Sequence, residues 1–189
     1  LTEVADPYRL SVLGRSFIAG QLDHAPALAA VTAPLVNSYK RLLPGSEAPT
    51  HISWGHRSRS ALVRVPRGGG GETRPTLIEL RCPDSACNPY LAFAAMLAAG
   101  LDGIERELVP EPPTEEHFEV GGPAPERRRV RALPASLGEA IDALEADDVI
   151  VEALGGALVE RLLEAKRLEW DQYRAHVADW EVRRYLSQH

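Results

Sequence analysis

Cysteine, basic charge and long apolar runs are all scarce in this sequence of 189 residues. Two cysteines, Cys82 and Cys87, are too few for a disulfide framework and lack the paired spacing of a zinc site. The 21 Lys and Arg residues against 27 Asp and Glu argue against a surface for nucleic acid or anionic membranes. No apolar run is as long as a membrane-spanning helix, and the N-terminus lacks a signal-peptide pattern. We therefore expect a cytoplasmic protein with neither nucleic acid nor membrane as a partner.

The length favours one globular unit with appendages. Within that unit we expect a sheet-and-helix core over 1–109, an exposed Pro-, Glu- and Arg-rich loop over 110–134, and C-terminal helices over 135–189. Residue 1 is Leu rather than Met, which leaves a true start and a truncation both open.

Hydrophobic periodicity predicts most of the helices. Apolar residues three and four apart predict helices over 8–22, 26–31, 136–146 and 149–180, and Asn88 followed by Pro89 predicts the start of another that runs to about residue 108. Two β-leaning runs, 59–65 and 76–81, flank a Gly-rich stretch and predict a hairpin with a long tip.

Charged residues inside the second β-leaning run are its most unusual feature. The period of a strand places Glu79 and Arg81 on one face, with Ile78 and Leu80 on the other. A carboxylate and a guanidinium side by side could hold a cation and an anion, and they could equally form a structural ion pair. The charge pattern alone does not separate these interpretations.

Three further arginines, Arg57, Arg59 and Arg64, lie in and before the first β-leaning run. Converging guanidinium groups suit polyphosphate because each planar fork binds two phosphate oxygens, although solvated charges on an edge strand have the same pattern. The Gly-rich stretch 67–72 is not a phosphate-binding loop, since no Gly-Lys-Ser/Thr and no helix follow it.

Four long motifs resemble class I, bacterial-type, glutamine synthetase: NSYKRLLPGSEAP at 37–49, ISWGHRSRSALVRVP at 52–66, IELRCPDSACNPYLAFAAMLAAGLDGI at 78–104, and EAKRLEWDQYRAHVADWEVRRYL at 164–186. The resemblance implies the C-terminal part of the catalytic domain of that family. Its expected fold is α+β, an antiparallel sheet covered by helices, with a C-terminal helical extension. The family's N-terminal domain and most of its metal ligands would lie upstream of residue 1.

The same resemblance implies roles for residues that handle glutamate. Arg41 and Arg81 match ligands of the substrate carboxylate. Glu47 matches a residue of the flap over the glutamate site, which contacts substrate and takes a proton from bound ammonium. Glu47 is therefore an expected catalytic residue.

For the nucleotide, the resemblance implies that Arg59, Arg64 and Arg74 bind ATP, with Arg59 also catalytic. Glu79 matches a carboxylate ligand of the metal, Mg²⁺ or Mn²⁺. The implied reaction joins ammonia to glutamate through a γ-glutamyl phosphate, in a homo-oligomer of stacked rings. Two alternatives remain: a ligase that joins glutamate to another amine such as a polyamine, and a catalytically silent assembly fragment.

Overall fold

The structure, a computed structural model, describes residues 6–43, 48–58, 60–66, 76–115 and 130–186. Its helices are α1 (Val12–Asp23), α2 (Ala25–Thr32), α3 (Pro89–Glu105), α4 (Leu137–Glu145), α5 (Asp148–Leu154), α6 (Gly156–Ala175) and α7 (Asp179–Tyr185). Its strands are β1 (His51–Gly55), β2 (Ala61–Arg64) and β3 (Glu79–Leu80), and a 3₁₀ turn spans Ser38–Lys40. The expected α+β class with C-terminal helices is confirmed.

The three strands form one sheet in the order β1-β2-β3. β2 and β3 are antiparallel, as the predicted hairpin requires, with Arg64 opposite Glu79. β1 and β2 run parallel, however, so the expectation of a wholly antiparallel sheet is wrong for this pair. Parallel strands are normally joined by a crossover of about a dozen or more residues, whereas only five residues separate β1 from β2 along the chain, so no sequence signal predicts this pairing.

The helix predicted at Asn88 begins as expected. The Asn88 side chain accepts hydrogen bonds from the backbone N–H groups of Tyr90 (3.0 Å) and Leu91 (3.4 Å), and Pro89 occupies the first helical position. The helix ends at Glu105, slightly before the predicted boundary. Glu107 follows with a φ of 50°, a left-handed conformation that cannot continue a right-handed helix.

Helices α1 and α3 pack backbone to backbone. A Cβ atom on Gly20 would lie 2.0 Å from the carbonyl oxygen of Ala99, and one on Gly103 would lie 2.3 Å from that of Ser16. Only glycine permits so close an approach. These glycines therefore serve the contact between α1 and α3.

One core cluster combines residues of the sheet with residues of the helices. The sheet and the residue after β2 contribute Trp54, Leu62, Val63 and Val65, α2 contributes Leu28 and Ala29, and α4 contributes Leu137, Ile141 and Leu144, all of them buried. Helix α1 packs against β1 and β2, and α2 packs against α4.

The helix predicted over 149–180 is three helices. Gly155 ends α5 with a φ of 87°, and His176 ends α6 with extended backbone. The apolar spacing continues across both breaks, so periodicity alone could not locate them. α7 has no buried residue. None of the described helices combines the length and apolar character needed to cross a membrane.

The described ends of segment 110–134 form hydrogen bonds with β1 and with the residue before it. The N–H of Ile52 donates to Arg131 O (2.8 Å), that of Leu133 to Thr50 O (3.1 Å), and that of Thr114 to Trp54 O (2.8 Å). β1 is an edge strand whose outer backbone groups need partners when buried, and these residues provide them. Residues 116–129 lie outside the described part of the chain.

Candidate active site

A cluster of three charged side chains marks the β2–β3 edge. Arg64 and Glu79 are direct cross-strand partners, and the Arg64 Nε and Nη2 atoms donate to Glu79 Oε2 at 3.0 and 2.6 Å. Arg81 approaches the other carboxylate oxygen, with 3.7 Å from its Nε to Glu79 Oε1. The prediction that Glu79 and Arg81 share one face of the strand is confirmed. Ile78 and Leu80 pack against the core.

Arg41 contacts the backbone just after this cluster. It follows the 3₁₀ turn Ser38–Lys40, and its guanidinium donates to the carbonyl oxygens of Cys82 and, at 3.3 Å, Pro83. These are the two residues that follow Arg81 along the chain. The tertiary structure thus brings Arg64 to Glu79 and Arg81, and places Arg41 against the backbone that follows Arg81. Glu47, Arg59 and Arg74, the other predicted site residues, lie outside the described residues.

The electrostatics of the cluster favour an anion. Two guanidinium groups, those of Arg64 and Arg81, face the single Glu79 carboxylate, so positive charge is in excess. The Arg64–Glu79 pair is 42% and 41% exposed, and an ion pair with this much solvent contact contributes only ~0–1 kcal/mol. Arg64 can therefore exchange its carboxylate partner for a phosphate oxygen at little cost, whereas Arg81, 15% exposed, is held in place.

Glu79 fits a metal ion as one donor of a larger set. Its carboxylate is partly exposed and offers two hard oxygen atoms, the donor type that Mg²⁺ prefers. Among the described residues, however, the group of three close potential donors is at Asp23, His24 and Asp102, away from this edge. One carboxylate does not make a magnesium site, so the remaining donors must come from elsewhere.

Glu115 has a structural role that the sequence patterns did not predict. Its carboxylate accepts hydrogen bonds from the N–H groups of His56 and Arg57 (both 2.9 Å) and from the Tyr8 hydroxyl (2.7 Å). Burial alone would raise the pKa of Glu115, but these hydrogen bonds lower it below its usual value. The carboxylate holds the turn that leads into Arg59. Its position in an acidic, Pro-rich segment carried no signal of this role.

Cys82, which follows Arg81 along the chain, is buried in the core. Burial raises the pKa of its thiol to about 11, and the Thr32 hydroxyl donates to its sulfur at 3.4 Å. Neither Cys82 nor Cys87 forms a disulfide. Cys82 is a packing residue that links α2 to the strand carrying Glu79 and Arg81.

Comparison with known proteins identifies the class. The family model for the glutamine synthetase catalytic domain matches residues 1–185, and the chain belongs to that family. It is 51% identical over 181 residues to the glutamine synthetase of Thermus thermophilus, a match covering 95% of this chain and 40% of that protein. The glutamine synthetase of Mycobacterium tuberculosis H37Rv is 51% identical over 185 residues, covering 96% of this chain and 41% of that protein.

Solved structures agree with this fold. A GmaS/ADP complex superposes with a TM-score of 0.85 at 38% identity and covers 99% of this chain and 42% of that one. Apo GmaS superposes with a TM-score of 0.79 at 39% identity, covering 98% and 41%. The chain thus spans about two fifths of the length of the relatives it matches.

Proposed function

We propose that this chain is part of a longer enzyme that ligates ammonia to glutamate at the expense of ATP, through a γ-glutamyl phosphate. The observation that carries the proposal is the grouping of Arg64, Glu79 and Arg81 on one sheet edge, beside Arg41, in a member of the glutamine synthetase family. Phosphoryl transfer to a carboxylate brings two anions together, and guanidinium groups at fixed positions lower that barrier.

Each described residue has a separate task in this proposal. Arg64, exposed and loosely paired, releases Glu79 and binds phosphate oxygens of ATP. Arg81 and Arg41, fixed by neighbouring carbonyl groups, orient the substrate carboxylate. Orientation of this kind places the γ-carboxylate for in-line attack and removes much of the entropic barrier.

The remaining assignments rest on the motifs alone. Arg59 and Arg74 bind ATP, and Arg59 also stabilises charge during the transfer. Glu47 contacts glutamate, shields the acyl phosphate from water and takes a proton from ammonium. Glu115 supports these steps by holding the turn before Arg59.

Mg²⁺ or Mn²⁺ would be held in part by Glu79. Such an ion neutralises charge on the transferred phosphoryl group. We propose that the other donors belong to the portion of the enzyme outside this chain, because the described residues provide one carboxylate at the edge. The 189-residue chain is then inactive by itself, and the complete enzyme is a cytoplasmic homo-oligomer of stacked rings whose exposed C-terminal helices contribute to assembly.

A ligase that joins glutamate to another amine is the second candidate. It would use the same arginines and the same metal carboxylate, so the described cluster is common to both. The 51% identity to proteins named glutamine synthetase favours ammonia. The third candidate, a silent assembly fragment, concerns the isolated chain only.

The decisive assay is phosphate release by the full-length protein with ATP, Mg²⁺ and glutamate, comparing ammonia with putrescine. We expect turnover with ammonia, and turnover with putrescine alone would contradict the proposal.

Glu79→Gln should lose activity by ~10²-fold or more, as expected when a positioned charge is removed. The matched control is Glu152→Gln, an exposed carboxylate on α5, which should retain activity.

The isolated chain gives a second test. Calorimetric titration with ATP and Mg²⁺ should show weak or no binding, because most of the metal ligands are expected outside it. Tight binding would contradict the view that this chain holds only part of the site.

A further inference from the structure

His24 occupies the junction between the helices of the core and those of the C-terminal part. It is the single residue between α1 and α2, and its backbone serves both helices, since its N–H donates to Gly20 O (3.1 Å) and its carbonyl accepts from the Leu28 N–H (2.9 Å). Its side chain is 8% exposed. The ring therefore has a fixed position and depends on protein partners.

Both ring nitrogens face carboxylates. Nε2 lies 2.9 Å from Asp102 Oδ2 on α3, and Nδ1 lies 2.7 Å from Asp147 Oδ2, at the start of α5. A neutral imidazole has one N–H, so it can donate to only one of them and must present a lone pair to the other carboxylate. The two short contacts together require the doubly protonated, charged ring.

Asp147 connects this charge to the C-terminal helices. It is the N-cap of α5, and its second oxygen, Oδ1, accepts from the Ile150 N–H at 3.1 Å. The same carboxylate thus caps α5 and binds His24. Ile150 is fully buried and Val151 and Leu154 pack against the core, so α5 is positioned by apolar packing and by the charged contact at its N-cap.

The other groups around the ring do not replace this interaction. On α3, Arg106 donates to Asp102 (2.8 Å) and to Asp23 of α1 (2.9 Å), which balances part of the negative charge. Asp148 lines the same surface recess as His24, and the lining also includes Ala143 of α4 and Ala146, the residue that follows α4. The recess connects the cluster with solvent, which gives protons access.

We propose that His24 forms a pH-sensitive ion-pair contact. While the ring is charged, this contact holds α5 and the following helix α6 to the α1–α3 core, and it weakens when the ring loses a proton. Hydrogen bonding to Asp147 raises the pKa of His24 to about 8, against the opposing effect of burial and with a further contribution from Asp102. Because the folded value lies above the unfolded one, the stabilisation is complete below pH ~6.5 and is lost as the pH rises through about 8.

The primary test is amide hydrogen exchange of the intact chain from pH 6.5 to 9.5, corrected for the intrinsic exchange rate. Protection of peptides spanning α5 and the first half of α6 should fall by about tenfold across this range. The upper limit is ~30-fold, the factor that corresponds to a pKa change from 6.5 to about 8. Protection of α3 peptides beyond the Asp102 contact should change less.

Two test variants, one control variant and one direct titration complete the test. In Asp147→Asn the helix keeps an N-cap but loses the charge partner, so the transition should move to lower pH; in His24→Gln the pH dependence of α5 protection should disappear. Asp148→Asn, one residue away, is the control and should behave like wild type. NMR titration of the His24 ring in the unmodified chain should give a pKa near 8. A value at or below 6.5, or equal pH dependence in wild type and Asp147→Asn, would overturn the proposal.

Discussion

Replacing Gly20 with Ala tests the backbone contact between α1 and α3. The new Cβ would lie 2.0 Å from the Ala99 carbonyl oxygen and 2.9 Å from the Gly103 nitrogen. A carbon and a carbonyl oxygen normally approach to ~3.3 Å, so the helices must separate by roughly 1 Å. Both obstacles are backbone atoms, which cannot rotate away as a flexible side chain could.

The expected loss follows from two opposing terms. Overpacking a tight site costs ~1–3 kcal/mol, and a backbone obstacle places this case at the upper end. Alanine is the better helix former by ~1 kcal/mol. We therefore expect Gly20→Ala to lower the free energy of unfolding by about 2 kcal/mol and the Tm by ~4–8 °C for a chain of this size.

The measurement is urea and thermal unfolding followed by far-UV circular dichroism. Gly156→Ala is the matched control, because it lies at the first position of α6 and its Cβ would meet nothing within 4 Å. That variant should be as stable as wild type or slightly more stable. Equal stability of Gly20→Ala and Gly156→Ala would refute the close packing of α1 on α3.

Two further predictions concern titratable groups. Glu115→Gln should reduce the loss of stability between pH 5 and 3. The pKa of Glu115 is lower in the folded protein than in the unfolded chain, so its carboxylate stabilises the fold at pH values above the unfolded-state pKa, and this contribution disappears as the pH falls. An unchanged acid-unfolding curve would contradict the role of this carboxylate. In native protein at pH 8, a thiol reagent should label Cys87 much faster than Cys82, whose thiol is buried and has a pKa of about 11, and both should react in denaturant. Equal native rates would show that Cys82 is accessible.

Local signals were sufficient for several elements. The Asn88-Pro89 start of α3 is encoded by a cap and a proline whose effects are confined to one helical turn. The common face of Glu79 and Arg81 follows from the strand period alone. The family could be identified because its motifs are long and uninterrupted.

Other features depended on contacts between distant residues. The parallel pairing of β1 with β2, the attachment of residues 131–133 to β1, and the break at Gly155 have no periodic signature. Glu115 is 58 residues from Arg57, and no local pattern predicts that its carboxylate holds that turn.

The sequence by itself determined where most of the helical segments lie, the pairing of the two β-leaning runs, the family and the residues expected to handle anions, because these are recorded in short-range spacing and in contiguous motifs. Only the tertiary structure decided which charges meet: Arg64 with Glu79, Arg41 with the end of β3, and His24 with Asp102 and Asp147. Charge pairs form where folding brings side chains within a few ångströms, and that distance bears no fixed relation to separation along the chain.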